Sequence, residues 1–276
     1  MECSSDKTQL MDDRSRIDEY WERADTISLL DKNLRKLETD FALSQISAND
    51  EIADFGCGDG ESTVHYAAAA RTCLALEHSS RLRAAAADRF AAAGLTNVTL
   101  VDGDALDLSA YVGRFDLVIS QRLVINFMTW EEQKQVLQNI WRSLRVGGRY
   151  VMIENTFEGF EAMNEVRRAV ELPDVLLHDW HNYFLHHDLL MEFLEGKFVI
   201  ENIHTFNLYY LLTRVFVNMF AKFEGYGSKA VKDDIIDIAD DAARRLHELM
   251  GHRTKIVVAK GESFGPIQGF VLRRMG

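Results

Sequence analysis

Proline is nearly absent. Pro173 and Pro266 are the only two in 276 residues, so the chain can run through helices without the breaks that a locked φ and a missing N–H impose. Cysteine is almost as scarce. Cys3, Cys57 and Cys73 are odd in number and form no CxxC pair, which excludes a disulfide framework and a zinc knuckle and fits a reducing cytoplasm. Positive charge is in deficit: 31 Lys and Arg against 43 Asp and Glu leave a formal net charge of -12 at pH 7. Nucleic acid and anionic membrane are bound chiefly through Lys and Arg, so the balance argues against both as partners. The acid excess sits in the first two thirds, and from about Gly196 onward the chain is neutral to slightly basic, which leaves an anionic acceptor near that part open. Long apolar runs are missing too. The greasiest stretch, LYYLLTRVFVNMF, is short and carries Arg214 at its centre, so no membrane segment is expected. The opening MECSSDKTQLMDDR is too polar for a signal peptide, and a cytoplasmic location is expected.

What is present is the composition of a folded protein rich in helix, 47% hydrophobic and 27% charged. Within residues 16–46, Ile17, Tyr20, Trp21, Ile27, Leu30, Leu34 and Leu37 recur at threes and fours, which predicts one or two amphipathic helices. Then EIADFGCGDG and STVHYAAAA read as strand, tight turn and helix. The order repeats through TCLALEHS, SRLRAAAADRFAAAG, NVTLVDGDAL, FDLVISQ, WEEQKQVLQNIWRSLRVGG and RYVMIEN. Strands alternating with helices predict an α/β fold, a doubly wound, mostly parallel, Rossmann-like sheet that takes its ligand at the C-terminal strand edges. After Asn155 the alternation lapses into helical pieces, broken at Pro173, with strands expected at KFVIENIH and at the closing GPIQGFVLRRM. The expected organisation is an N-terminal helical segment over 1–48, a ligand-binding core over 49–156, and a helical cap with the last strands over 157–276.

Gly56, Gly58 and Gly60 follow the first strand, with Asp54 two places before them. Dinucleotide dehydrogenases prefer GxGxxG, in which a helix N-terminus receives a pyrophosphate. Here the last interval is one residue shorter, and the preceding carboxylate would repel a pyrophosphate but accept a hydrogen bond from an ammonium. The turn therefore favours a cofactor with an amino acid tail over a nicotinamide.

Over residues 52–154 the chain resembles the class I S-adenosylmethionine-dependent methyltransferases. The stretch from Asp54 to Gly60, including Cys57, matches their first motif, in which the acid and the glycine turn hold the methionine part and let backbone approach the ribose. Glu77, ending CLALE, matches the acid that binds both ribose hydroxyls, and His78 beside it is counted with the cofactor contacts. Asp104 and Ala105 match the acid and neighbour that contact adenine, and Ser120 and Gln121 the strand end beside the reactive methyl. Each keeps a plain alternative: Gly58 as a turn residue, Glu77 as a helix cap, Asp104 as an Asx turn, Cys57 as packing. Tyr20 and Trp21 read either as an aromatic flap over the sulfonium or as a staple between helix and core.

The histidine-rich stretch HDWHNYFLHHD, residues 178–188, is the remaining chemical signal. Magnesium-dependent methyltransferases place carboxylates after the fourth and fifth strands, where this chain has Ser120-Gln121 and Glu154-Asn155, one acid and no second. No metal is expected. His181 reads as a base for the acceptor proton or as one more polar residue of a helix start. Arg122, His178, Trp180, Tyr183, Tyr209 and Tyr210 are assigned to the acceptor side. A weaker resemblance, through SQRLVINFMTWEEQ, DVLLHDWHNYFLHHD, FNLYYLLTRVF and GPIQGFVLRR, is to a bacterial subgroup that tailors surface polysaccharides or natural products, from which Gln121 departs where the subgroup has an acid. The expected function is transfer of a methyl group from S-adenosylmethionine to a small molecule, with a sugar-like or natural-product hydroxyl as acceptor. Methylation of a small amine, and S-adenosylmethionine binding without catalysis, are the alternatives. Oligomeric state is not legible.

Overall fold

The computed structural model describes residues 5–23, 26, 31–177, 182–219, 229–250 and 264–276. Strand β1 (Glu51–Phe55) is flanked in parallel by β2 (Thr72–Glu77) and β4 (Phe115–Gln121), with β3 (Val98–Asp102) beyond β2 and β5 (Leu144–Asn155) beyond β4. Helices α3 (Thr63–Ala69), α4 (Ser80–Ala92) and α5 (Trp130–Ser143) lie in the crossovers. The full order is β3-β2-β1-β4-β5-β7-β6, in which β7 (Ile267–Arg274) runs antiparallel to β5 and to β6 (Phe198–Thr205). The expected α/β sheet is thus a seven-stranded, mostly parallel one. Its order reverses between β1 and β4, so the connections leaving these strands diverge and open a crevice at their C-terminal ends.

Alternation along each buried strand feeds two cores. Ile52, Leu117, Ile119, Val151 and Ile153 face one side, where Leu34, Leu37 and Phe41 of α2 (Lys32–Leu43) and Phe160 and Met163 of α6 (Phe157–Ala169) pack. Ala53, Phe55, Val118, Tyr150 and Met152 face the other, against Val136, Leu137 and Ile140 of α5 and Leu190, Phe193 and Leu194 of α7 (His187–Leu194). Helix starts carry their own caps. The side chains of Asp31, Ser79 and Thr129 accept from the N–H groups of Leu34, Leu82 and Glu132 at the openings of α2, α4 and α5.

Two helices precede β1, α1 (Ser5–Glu22) and α2. The stretch LYYLLTRVF, among the helical pieces expected after Asn155, forms one turn of α8 (Asn207–Tyr210) that widens into a π-helix at Leu211–Phe216. There Arg214 pairs with Asp31, and the Tyr209 hydroxyl donates to the same carboxylate at 2.7 Å. Helix α9 (Lys229–Met250) packs on α2, α8 and the π turn. The helices after β5 therefore flank the sheet on both faces.

Gly269 of β7 sits under Phe41, where a Cβ would lie 2.3 Å from the ring. Gly269→Ala is expected to cost about 1–3 kcal/mol through overpacking, read as a lower urea midpoint with an unchanged slope.

Candidate functional site

A cavity of about 490 Å³ opens at the switch point, within the range of roughly 300–1,000 Å³ ordinary for small ligands. Its floor is the turn after β1. Gly56, Gly58 and Gly60 all have positive φ, a conformation that side chains with a Cβ rarely adopt. Their surroundings differ. At Gly60 a Cβ would strike the Phe90 ring at 2.7 Å, whereas at Gly58 nothing lies within 4 Å. Gly58 thus presents bare backbone to the cavity, and Gly60, expected at the ligand, instead lets α4 pack close beneath it. Cys57 lines the cavity, and burial pushes its thiol well above the usual range; such a thiol is no nucleophile at neutral pH.

Two carboxylates stand at the strand ends behind this turn. Asp54 is 3% exposed and accepts from the Thr63 hydroxyl at 2.6 Å. Burial raises its pKa to about 7, with the Thr63 hydrogen bond opposing and the charge of Glu77 adding to the rise. Glu77 accepts from the Gly58 N–H at 2.8 Å through one oxygen and from the Ser79 N–H at 2.9 Å through the other. Burial raises its pKa as well, against these two hydrogen bonds. Each oxygen keeps a second lone-pair direction, so the carboxylate can fasten the turn and still receive a pair of hydroxyls.

Beyond β3, Asp104 and Ala105 line the same cavity. One oxygen of Asp104 closes an Asx turn on the Leu106 N–H at 2.9 Å, and the other pairs with Arg14 of α1. Helix α1 is the roof, with Arg14, Ile17, Asp18, Tyr20, Trp21 and Glu22 all facing the cavity. Tyr20 and Trp21 pack edge to face with centroids 5.1 Å apart. His78 lies 3.6 Å from Asp18.

Gln121, Arg122, Asn126, Phe127, Met128 and Asn155 line the end beside β4 and β5. Arg122 has φ +51, a strained conformation for a non-glycine residue that surrounding contacts must impose. Its N–H donates to the Ile153 carbonyl at 2.8 Å, its carbonyl accepts from Asn126 at 2.7 Å, and its guanidinium pairs with the fully buried Glu38 of α2. The loop that follows is fastened from below. Glu154, fully buried, accepts from the N–H groups of Leu123 and Val124, both at 2.8 Å, and burial raises its pKa to about 7 against those bonds.

Several expected site residues lie elsewhere. Ser120 is fully buried, and its hydroxyl pairs with that of Tyr150 at 2.7 Å; strand alternation turns it to the α5 face while Gln121 faces the cavity. Tyr209 and Tyr210 are core residues, the first bonded to Asp31 and the second packed over Gly265. Tyr183 binds by backbone, its N–H to Ile125 and its carbonyl to Gln133, and does not line the cavity. His178, Trp180 and His181 lie outside the described residues; Asn182, next in sequence, lines the cavity. Sequence reasoning missed Arg14, Asp18 and Glu22, spaced four apart on α1, because such a stripe reads as a solvated face. It also missed Arg35, Glu38 and the positioning contacts of Glu154. No cluster of three or more metal-ligating side chains occurs among the described residues, and no helix there is long and apolar enough to cross a membrane.

Residues 52–148 match a family described as a methyltransferase domain. An uncharacterized methyltransferase of Oceanobacillus iheyensis is 27% identical over 125 residues, 45% of this chain and 56% of the relative. The 2-heptyl-1-hydroxyquinolin-4(1H)-one methyltransferase of Mycobacteroides abscessus is 27% identical over 111 residues, 40% of this chain and 48% of the relative. The chain thus matches about half the length of each. The fold extends further than the sequence likeness. Geranyl diphosphate C-methyltransferase of Streptomyces coelicolor superposes with a TM-score of 0.57 over 95% of this chain and 98% of that one, at 14% identity. The [4+2]-cyclase SpnF does so at 0.53 over 86% and 79%, at 18% identity.

Between about pH 4 and pH 7 the folded, ligand-free protein retains protons on Asp54 and Glu154 that the unfolded chain releases, so stability falls as pH rises through that window. Asp54→Asn and Glu154→Gln are each expected to flatten the fall in urea midpoint between about pH 5 and about pH 8. A wild-type midpoint that rose steadily over the same span would contradict the assignment of these two buried acids.

Proposed function

We propose that the chain, whose residues 52–148 match a methyltransferase domain, is a class I S-adenosylmethionine-dependent methyltransferase that transfers a methyl group from S-adenosylmethionine to a small-molecule acceptor, at the oxygen of a sugar-like or natural-product hydroxyl. The observation that carries the first part is the paired burial of Asp54 and Glu77 behind a glycine turn at the switch point. A neutral ligand would leave two desolvated carboxylates uncompensated, whereas an ammonium and a ribose diol suit them in turn. In this reading Asp54 holds the ammonium, Glu77 the diol, Gly58 gives backbone room, Asp104 and Ala105 take the adenine, and Tyr20 and Trp21 close over the top.

The cofactor supplies an already activated methyl on a sulfonium. What remains for the chain is to align the acceptor, exclude water and take a proton. Gln121, Asn126, Asn155 and Asn182 offer neutral polar groups at the acceptor end, and Phe127 and Met128 apolar ones. With Arg122 and Glu132 adding one charge of each sign to the lining, that mixture suits a neutral ring bearing hydroxyls. The Mycobacteroides abscessus relative, named for a hydroxyquinolinone, supports the same class. His181, beside Asn182 in sequence, is the proposed proton acceptor.

Calorimetric titration with S-adenosylhomocysteine, beside NADH as control, tests the cofactor. Binding of the first alone is expected, and binding of NADH alone would overturn the reading. Only ionised Asp54 pairs with the ligand's ammonium, so affinity is expected to rise about tenfold from about pH 6 to about pH 8. Asp54→Asn should bind more weakly and with little pH dependence. With an acceptor found by screening methyl transfer across hydroxyl compounds, His181→Ala is expected to lose turnover while keeping its affinity for S-adenosylhomocysteine. Unchanged turnover would remove His181 from the reaction.

A further inference from the structure

Arg14, Asp18 and Glu22 follow one another at four-residue intervals, so they share one face of α1. Each meets a different strand or helix end around the cavity. Arg14 pairs with Asp104 after β3, and Asp18 lies 3.6 Å from His78 after β2. Glu22 accepts from the Ser80 and Arg81 N–H groups, at 2.6 and 3.3 Å, and from the Ser80 hydroxyl at 3.0 Å. Arg81 answers by donating to the Trp21 carbonyl at 3.0 and 3.1 Å. Helices α1 and α4 thus satisfy each other's orphan end groups, Glu22 at the start of α4 and Arg81 at the end of α1.

The Arg14 contact differs in kind from the other two. It fastens α1 to the acid assigned above to the adenine, and to the one Asp104 oxygen that its Asx turn leaves over. A guanidinium N–H and the exocyclic amine of adenine are both donors to a carboxylate, and Arg14 lines the same cavity as Asp104, so the guanidinium and an arriving ring contend for the same space beside that acid. We propose that Arg14 is a displaceable occupant of the cofactor site, holding Asp104 in the ligand-free protein and giving it up when the adenine amine arrives, while Glu22 and Arg81 keep α1 in place as the roof. The proposal rests on the methyltransferase reading of the site. It makes cofactor affinity the difference between two contacts to one carboxylate, and sets it partly by a residue outside the methyltransferase motifs.

The pair is about a third exposed, with side chains 38% and 31% accessible, so its loss is expected to shift binding modestly. In calorimetric titration with S-adenosylhomocysteine, Arg14→Ala should bind about two- to fivefold more tightly than wild type. Glu22→Gln, which loosens the roof without touching Asp104, should bind more weakly. Opposite signs separate displacement from simple fastening, which would weaken both. Salt gives a second reading in the wild-type protein. Raising sodium chloride from about 0.02 to about 0.5 M screens the Arg14–Asp104 pair, so affinity should rise in wild type and stay level in Arg14→Ala. Equal or weaker binding by Arg14→Ala, or wild-type affinity that does not rise with salt, overturns the displacement. Absence of S-adenosylhomocysteine binding to the wild-type protein overturns the methyltransferase reading itself.

Discussion

The carboxylate of Glu77 is the contact on which the rest of the site depends. It stands at the end of β2 and reaches across to the Gly58 N–H of the β1 turn, so one buried side chain fixes the glycine turn against the neighbouring strand. The turn then sets the opening of α3, from which Thr63 reaches back to Asp54. Burying two acids this close is unfavourable, and the sheet tolerates it because backbone and hydroxyl donors partly replace water. The residual cost is visible in their raised pKa values. A ligand bringing an ammonium and hydroxyls would relieve that cost, so the same desolvation that weakens the free protein strengthens the complex.

The end of the cavity beside β4 and β5 is built on a different constraint. Arg122 must leave the end of β4 with positive φ, and no glycine is there to make that easy. Three contacts impose it: the Ile153 carbonyl, the Asn126 side chain and the buried Glu38. Glu154 then holds the next two amides from the adjacent strand. The wall formed by residues 122–128 is therefore over-determined from α2 and from β5. Its shape is a property of the fold rather than of a mobile loop, which favours one ligand shape over many.

The core of this architecture is readable from the chain because parallel strands buried on both faces must be apolar runs, and crossovers must be helices with caps. Asp54, Gly58, Glu77 and Asp104 all line the cavity, and that placement is readable for a similar reason: each lies at or just past a strand end that the sequence marks. Ser120 misled because adjacent residues at a strand end carry equal sequence weight, while alternation sends only Gln121 to the cavity. Tyr209 and Tyr210 misled because an aromatic pair on an amphipathic piece looks the same whether it faces a ligand or a core. Glu38 and Arg122 are 84 positions apart, and nothing local in either segment announces the pair. Long-range ion pairs of this kind are consequences of topology, and only the assembled sheet reveals them.

Roof and floor of the cavity consequently differ in strength. The floor contacts are buried, where a broken hydrogen bond strands a desolvated charge and costs several times what the bond contributed. The roof contacts through Arg14, Asp18 and Glu22 are partly solvated, so water replaces each with little loss. Reciprocal capping still gives α1 a defined seat, because each helix supplies the side chain that satisfies orphan end groups of the other. A rigid floor under a weakly held roof fixes the geometry of the cavity in advance, while entry of a ligand asks only for contacts that are individually cheap to exchange.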